Sequence, residues 1–202
     1  MSGVTVRPAQ PRDVKALAQV MARAFYDDPP FGWMLPDERS RERRAAGVFA
    51  TILRSHAMRY GGVDVACRGD VIVGGAIWLP PGHWAPTAAQ QLRSLPGYLR
   101  ALGRDIGRTN ALVQAMTKHH PREPHWYLYA IGVDPATQGG GVASALLRPR
   151  LARCDINGQA AYLESSKPGN VPLYEHFGFE VTGTPPLPEG APVLTAMWRA
   201  PE

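Results

Sequence analysis

The chain has 202 residues, 45% of them hydrophobic, and a formal net charge of +5. That length suits one domain with a sizeable core. No run reaches the roughly eighteen apolar residues of a membrane span, so no membrane partner is expected. The start, MSGVTVRPAQPRDV, lacks a charged-then-apolar leader pattern. Cys67 and Cys154, the only cysteines, read as free thiols. Both points predict a cytoplasmic location.

The basic excess is almost all arginine, with lysine only at 15, 118 and 167. Its densest cluster, DERSRERRAA, mixes signs and has no interleaved aromatics, which reads as a solvated helix start and predicts no nucleic-acid partner. VTVRPA reads as a short strand. PRDVKALAQVMARAFYDD has the spacing of an amphipathic helix, with Val14, Leu17, Ala18, Met21 and Phe25 on one face and Pro29-Pro30 closing it. FGWMLPD reads as an apolar loop, and a second helix is predicted from Ser40 to Tyr60. After the Gly61-Gly62 break, VDVACRG and VIVGGAIWLP read as strands joined by a tight RGD turn.

From Pro80 to Pro124, prolines alternate with short helical pieces, which reads as an insertion or a lid. HWYLYAIGV is a predicted strand. GGGVASALLRPRLARCDIN is a loop feeding a helix, with Ala143, Leu146, Leu147, Leu151 and Cys154 on one face and a kink expected at Pro149. GQAAYLESS is the next strand and NVPLYEHFGF a short helix. FEVTG and PVLTAMWRA complete an α/β chain with mixed sheet pairing.

A strand, a glycine-rich loop and a helix start make an anion site, because the first helical amides lack partners and the helix dipole favours negative charge. Gly141 is followed by Val142 and Ala143 rather than Lys-Ser/Thr, which excludes a Walker A loop. Gly139-x-Gly141-x-x-Ser144 approaches a dinucleotide fingerprint, but DPATQ separates it from its strand, and that fingerprint normally opens a domain.

IGVDPATQGGGVASALL resembles the coenzyme A pyrophosphate loop of the GCN5-related N-acetyltransferase (GNAT) superfamily, whose pattern Gln/Arg-x-x-Gly-x-Gly/Ala is met by Gln138, Gly141 and Ala143, with Val133 upstream. NVPLYEHFGF is similar to a second family block, with Tyr174 ahead of Gly178-Phe179. The run from His119 to Gly183 resembles the puromycin N-acetyltransferase branch, including Asn-x-Pro-x-Tyr and the helix proline Pro149.

The resemblance implies a single GNAT domain over residues 1–202, with a mixed, mostly antiparallel central sheet flanked by helices and a helical insertion before the fourth strand. It implies acetyl-CoA as co-substrate, no metal, a small-molecule amine acceptor, and a monomer or homodimer. The amides of Gly139, Gly140, Gly141, Val142, Ala143 and Ser144 would hold the pyrophosphate. The strand through Ile131 and Val133 would hold the pantetheine arm, with a strand amide such as that of Ile131 polarising the acetyl carbonyl. Tyr174 would be the general acid. Asn170 would cap the short helix, touch the coenzyme, or do both. Glu164 has two readings, general base or structural acceptor for backbone or Ser166. Asp28 would bind a cationic substrate, and Phe31, Trp33 and Trp78 would line an aromatic acceptor site. Gly140 is free in the family pattern.

His119, His120 and His125 read as surface or loop residues, because no carboxylate or cysteine sits at ligand spacing with them. No Gly-x-Ser-x-Gly elbow supports a hydrolase. Two other functions stand beside the leading one. A non-catalytic acyl-CoA-binding module would not need Tyr174. A protein or peptide acetyltransferase would need an open groove, against which a lid from 80 to 124 would argue.

Overall fold

A computed structural model describes residues 3–202; Met1 and Ser2, at the start of the expected 1–202 domain, lie outside the described residues. The strands are β1 (Thr5–Pro8), β2 (Val63–Arg68), β3 (Val71–Leu79), β4 (His125–Val133), β5 (Ala160–Ser165), β6 (Glu180–Gly183) and β7 (Thr195–Arg199). The helices are α1 (Val14–Ala24), α2 (Pro29–Met34), α3 (Glu38–Ser55), α4 (Ala88–Leu102), α5 (Ile106–His119), α6 (Val142–Ile156) and α7 (Val171–Glu175). All strands join one sheet in the order β1-β2-β3-β4-β5-β7-β6, antiparallel except for the β4–β5 pair. This is the predicted α/β architecture.

Strand alternation gives the sheet two apolar faces. Val65, Ile77, Leu79 and Tyr127 pack with Leu17, Met21, Phe49 and Leu53 of α1 and α3. Ala66, Ala76, Trp78, Leu128 and Met197 pack with Leu146, Leu147 and Leu151 of α6 on the other face. Each such large side chain contributes about 1.5–3 kcal/mol on full burial.

Two expectations are corrected. Pro29-Pro30 do not close α1 but open α2, and the predicted loop FGWM lies within that helix. Asp28 is extended at its cap (φ −77°, ψ 127°) and accepts from the Phe31 amide at 3.4 Å, while the prolines occupy first-turn positions where no amide donor is needed. Proline ends one helix or starts the next, and periodicity alone cannot tell which.

Residues 80–124 form two full helices rather than broken pieces. α4 opens on a reciprocal cap between Thr87 and Gln90 and carries Pro96 on its exposed side, where the carbonyl left without a donor meets water. α4 is seated on α3: a Cβ on Gly47 would stand 2.9 Å from the Ala101 Cβ, and Arg44 pairs with Asp105 at 2.8 Å.

The feature that positions the site is a parting of strands. β4 and β5 pair only at His125↔Ala160, Trp126↔Ala161 and Tyr127↔Tyr162. Beyond Tyr127, β4 stays paired to β3 but leaves its other edge open. Ile77 faces Ala130 and Trp78 faces Leu128, so Tyr129 is the extra residue of a bulge.

Candidate active site

The wedge between the parted strands is a cleft of about 440 Å³. Its walls are Leu128–Val133 of β4, Leu163, Glu164 and Ser166 at the end of β5, the turn before α6, Asn170 and Tyr174 around α7, and Phe25 and Asp28 after α1.

The turn before α6 is anchored from β3 and α1. The Asp134 amide donates to the Val73 carbonyl at 2.8 Å, and Arg23 donates to the Asp134 carboxylate at 2.9 and 2.5 Å. Gln138 donates back to the Val133 carbonyl at 3.3 Å, closing the loop on its own strand. Gly141 caps α6 at φ 71°, a left-handed conformation that costs an L-residue about 1–2 kcal/mol. The first helical bond runs from the Ala145 amide to the Gly141 carbonyl, leaving the amides of Val142, Ala143 and Ser144 free of helical partners at the cleft wall.

Gly140 lies outside the cleft wall. A Cβ there would stand 2.7 Å from the Arg68 guanidinium of β2. Arg68 has no ion pair among the described residues. The bare backbone at this position therefore makes room for a cation beside the turn, which the motif pattern alone does not signal.

Tyr174 lies on α7, which turns back sharply enough for the Tyr174 carbonyl to accept from the amides of both Phe177 and Phe179, at 2.9 and 3.1 Å. The ring meets Phe179 edge-on at 6.1 Å. Burial, reinforced by the Asp28 charge, pushes the phenol up to about 12, so it is a proton donor at neutral pH. Asn170 precedes α7 but makes no side-chain cap, contrary to the expected capping role; it lines the cleft instead.

Glu164 is the penultimate residue of β5, with a side chain only 3% exposed. Desolvation pushes it up to about 7, and the neighbouring Tyr127 and Tyr162 hydroxyls, which favour the carboxylate, offset this only in part. Asp28 is also buried, and burial raises it despite the hydroxyl of Ser166 and the Phe31 amide, which both donate to its carboxylate. Asp28 lines the cleft, with both oxygens already engaged by the protein.

Three predicted acceptor contacts lie elsewhere. Trp78 is fully buried among the α6-face core residues, because β3 presents it to the side opposite α1. Phe31 stacks on Phe49 at 5.2 Å within the α1–α3 core. Trp33 is half-buried under Arg108, which stacks on its ring at 5.1 Å and donates to its carbonyl at 2.8 Å. The aromatics of the cleft wall are Phe25, Tyr129 and Tyr174.

The histidine reading is corrected in part. His119 is exposed, but His120 and His125 are buried beside Glu164 and Tyr162. Among the described residues no group of three or more His, Cys, Asp or Glu is disposed to hold a metal. The spacing Tyr127–Tyr129 and Tyr162–Glu164, two apart on strands, was the available signal for a polar cluster on one face.

The sequence profile of the acetyltransferase (GNAT) family matches residues 19–179. An uncharacterized N-acetyltransferase of Schizosaccharomyces pombe is 29% identical over 191 residues, covering 87% of this chain and 74% of that protein. The crystal structure described as histone acetyltransferase HPA2 and related acetyltransferase from Corynebacterium glutamicum superposes with a TM-score of 0.77 at 29% identity, covering 100% of this chain and 98% of that one. A Drosophila melanogaster polyamine N-acetyltransferase shares the fold, with a TM-score of 0.64 at 15% identity over 98% of this chain and 100% of that one. The chain belongs to the acetyltransferase (GNAT) family. It is an acyltransferase of the group that uses acetyl-CoA to acetylate an acceptor.

Proposed function

We propose that the protein transfers the acetyl group of acetyl-CoA to the amine of a small molecule, by direct attack in a ternary complex. The observation that carries this reading is that one cleft, opened by the parting of β4 and β5, is lined by free helix-start amides, an open strand edge, a carboxyl group raised to about 7 and a buried phenol.

The residues present fit acetyl-CoA. The amides of Val142, Ala143 and Ser144, with the side-chain-free backbone of Gly139 and Gly141, suit a pyrophosphate. Arg68, beside Gly140, adds a cation for the phosphates. The unpaired edge of β4 at Ile131 and Val133 offers backbone partners to an extended pantetheine arm, as an added strand would find. An amide there would polarise the acetyl carbonyl, an effect on the order of 3 kcal/mol in a water-excluded site.

In this reading Glu164 takes the proton of the attacking amine. Its raised proton affinity lets it accept that proton near neutral pH. Tyr174 donates to the departing thiolate. Asp28 and Glu164 make the cleft attractive to a cationic amine before deprotonation, and Phe25 and Tyr129 give it an apolar side. A puromycin-like aromatic amine or another toxic amine suits these walls. Residues 3–202 form one sheet with its covering helices, which supports reading the chain as a single catalytic domain.

The test is release of free coenzyme A thiol from acetyl-CoA in the presence of puromycin, aminoglycosides, polyamines or amino acids. Amine-dependent release with at least one small amine, and a monoacetylated product by mass, is expected. Release only with protein or peptide acceptors would overturn the small-molecule reading, and acetyl-CoA binding without any transfer would point to a regulatory module.

A further inference from the structure

Glu164 lies beside His120, which is paired with a second buried histidine, His125, and the proposed reaction uses neither. His120 follows α5 and is 8% exposed; His125 opens β4 and is 2% exposed. The His120 ring is held on three sides. Trp84 stacks on it with centroids 3.8 Å apart, and Tyr127 and Tyr162 meet it edge-on at 4.7 and 5.1 Å. Its Nε2 is 3.0 Å from Nε2 of His125, and its Nδ1 is 3.9 Å from a Glu164 oxygen. On the far side, Nδ1 of His125 is 2.6 Å from the Glu123 carbonyl.

These contacts determine where the protons are. A carbonyl only accepts, so Nδ1 of His125 carries a hydrogen. Burial disfavours charge on both rings, pushing His120 down to about 3 and lowering His125. A neutral imidazole has one N–H, so Nε2 of His125 is an acceptor and Nε2 of His120 must donate to it. Nδ1 of His120 is then a bare lone pair, and it faces Glu164.

We infer that His120 is a positioning residue for Glu164, locked by His125 and the Glu123 carbonyl in the one tautomer that offers the carboxyl group an acceptor instead of an N–H. The inference rests on the reading of Glu164 as the base. An acceptor beside Glu164 favours its protonated form, and withholding an N–H denies the carboxylate a stabilising donor. Both effects keep the carboxylate basic.

The other titratable or charged groups near Glu164 stand on its own strand and on neighbouring elements. The hydroxyls of Tyr127 on β4 and Tyr162 on β5 favour the carboxylate. Tyr129, Asp28, Lys167 and Tyr174 stand on the walls of the same cleft. Of these neighbours, His120 alone is positioned by a second buried ring and a backbone carbonyl.

The test follows Glu164 itself by infrared difference titration of the carboxyl stretch, assigned by its loss in Glu164→Gln, alongside the pH dependence of kcat/KM. His125→Phe keeps the ring volume but removes the acceptor, freeing His120 to turn its N–H toward the carboxylate. The midpoint for Glu164 is expected to fall by about one unit, a tenfold loss of proton affinity. His120→Phe, the second variant, is expected to shift it the same way. His125→Gln, whose side-chain oxygen can take over the acceptor role, is expected to keep the midpoint of the unaltered protein. An unmoved midpoint in both Phe variants, or a Gln variant that shifts as far as His125→Phe, would overturn the inference. If the infrared midpoint moves while the acidic limb of kcat/KM stays, the positioning role stands and the assignment of Glu164 as the base fails.

Discussion

Tyr174 and Glu164 stand in one cleft with opposite proton tendencies, and this contrast carries the chemistry of the proposed reaction. The phenol is held protonated by burial, while the carboxyl group is poised near neutrality by burial, partly offset by two neighbouring tyrosine hydroxyls. Tyr174→Phe is expected to bind acetyl-CoA within about twofold of the unaltered protein and to lose roughly 10²-fold in kcat, the usual scale for a general acid. Calorimetry and steady-state rates check the two halves separately. Arg68→Ala is expected to raise the KM for acetyl-CoA several-fold with kcat unchanged, because a phosphate contact far from the reacting carbon contributes equally before and during transfer. At this scale the sequence was informative where a residue's role is local. Gly141 and Tyr174 announce themselves by motif spacing, whereas Arg68 meets Gly140 only after β2 is folded against the α6 turn, so no spacing reveals it.

The elements that build the cleft are tied at their far ends. Arg199 of β7 donates to both oxygens of Asp155 at the end of α6, at 2.5 and 3.0 Å, and to the Phe177 carbonyl at 2.7 Å. It thereby joins α6, β7 and the turn after α7. Arg199→Ala removes the Asp155 carboxylate's charged partner, leaving it only the Glu202 amide, and strips the side-chain donor from the Phe177 carbonyl; it is expected to cost about 2–4 kcal/mol of stability, measured by urea unfolding. The Asp155 carboxyl is held below its usual range by Arg199. Its contribution is therefore present above the unfolded carboxylate pKa and is lost as the pH falls through its lower folded pKa.

Elements were legible wherever one period governed several residues, as in α1 and α6. They were misread where a residue type has two uses, as with Pro29-Pro30, which open α2, and Pro96, which α4 tolerates on its wet side. The face on which Trp78 points depends on which layer covers which side of β3, and the burial of His120 and His125 depends on how α5 returns to β4. Neither is a property of a local window.

For the whole molecule, the basicity that the proposed reaction asks of Glu164 is costly to stability. Its carboxyl group binds a proton more tightly in the folded protein, at about 7, than at the reference value of 4.5. Stability is therefore greatest at low pH in this respect, falls as the pH rises from 4.5 toward 7, and is lowest above 7, by roughly 3 kcal/mol. Glu164→Gln is expected to unfold later than the unaltered protein at pH 8 and to lose that advantage near pH 4.5, as thermal melts across pH would read. A reversed sign would mean the carboxylate is not desolvated.

The same burial predicts that kcat/KM rises through about pH 7 as Glu164 becomes free to accept a proton. The most direct measurement of the central claim is titration calorimetry of acetyl-CoA into the unaltered protein and into Gly141→Val. A single site is expected in the former and at least a tenfold weaker one in the latter, with the fold intact by circular dichroism, because a side chain forced to φ 71° must displace the amides that start α6. Equal affinity in the two proteins would contradict an acetyl-CoA site at the parting of β4 and β5.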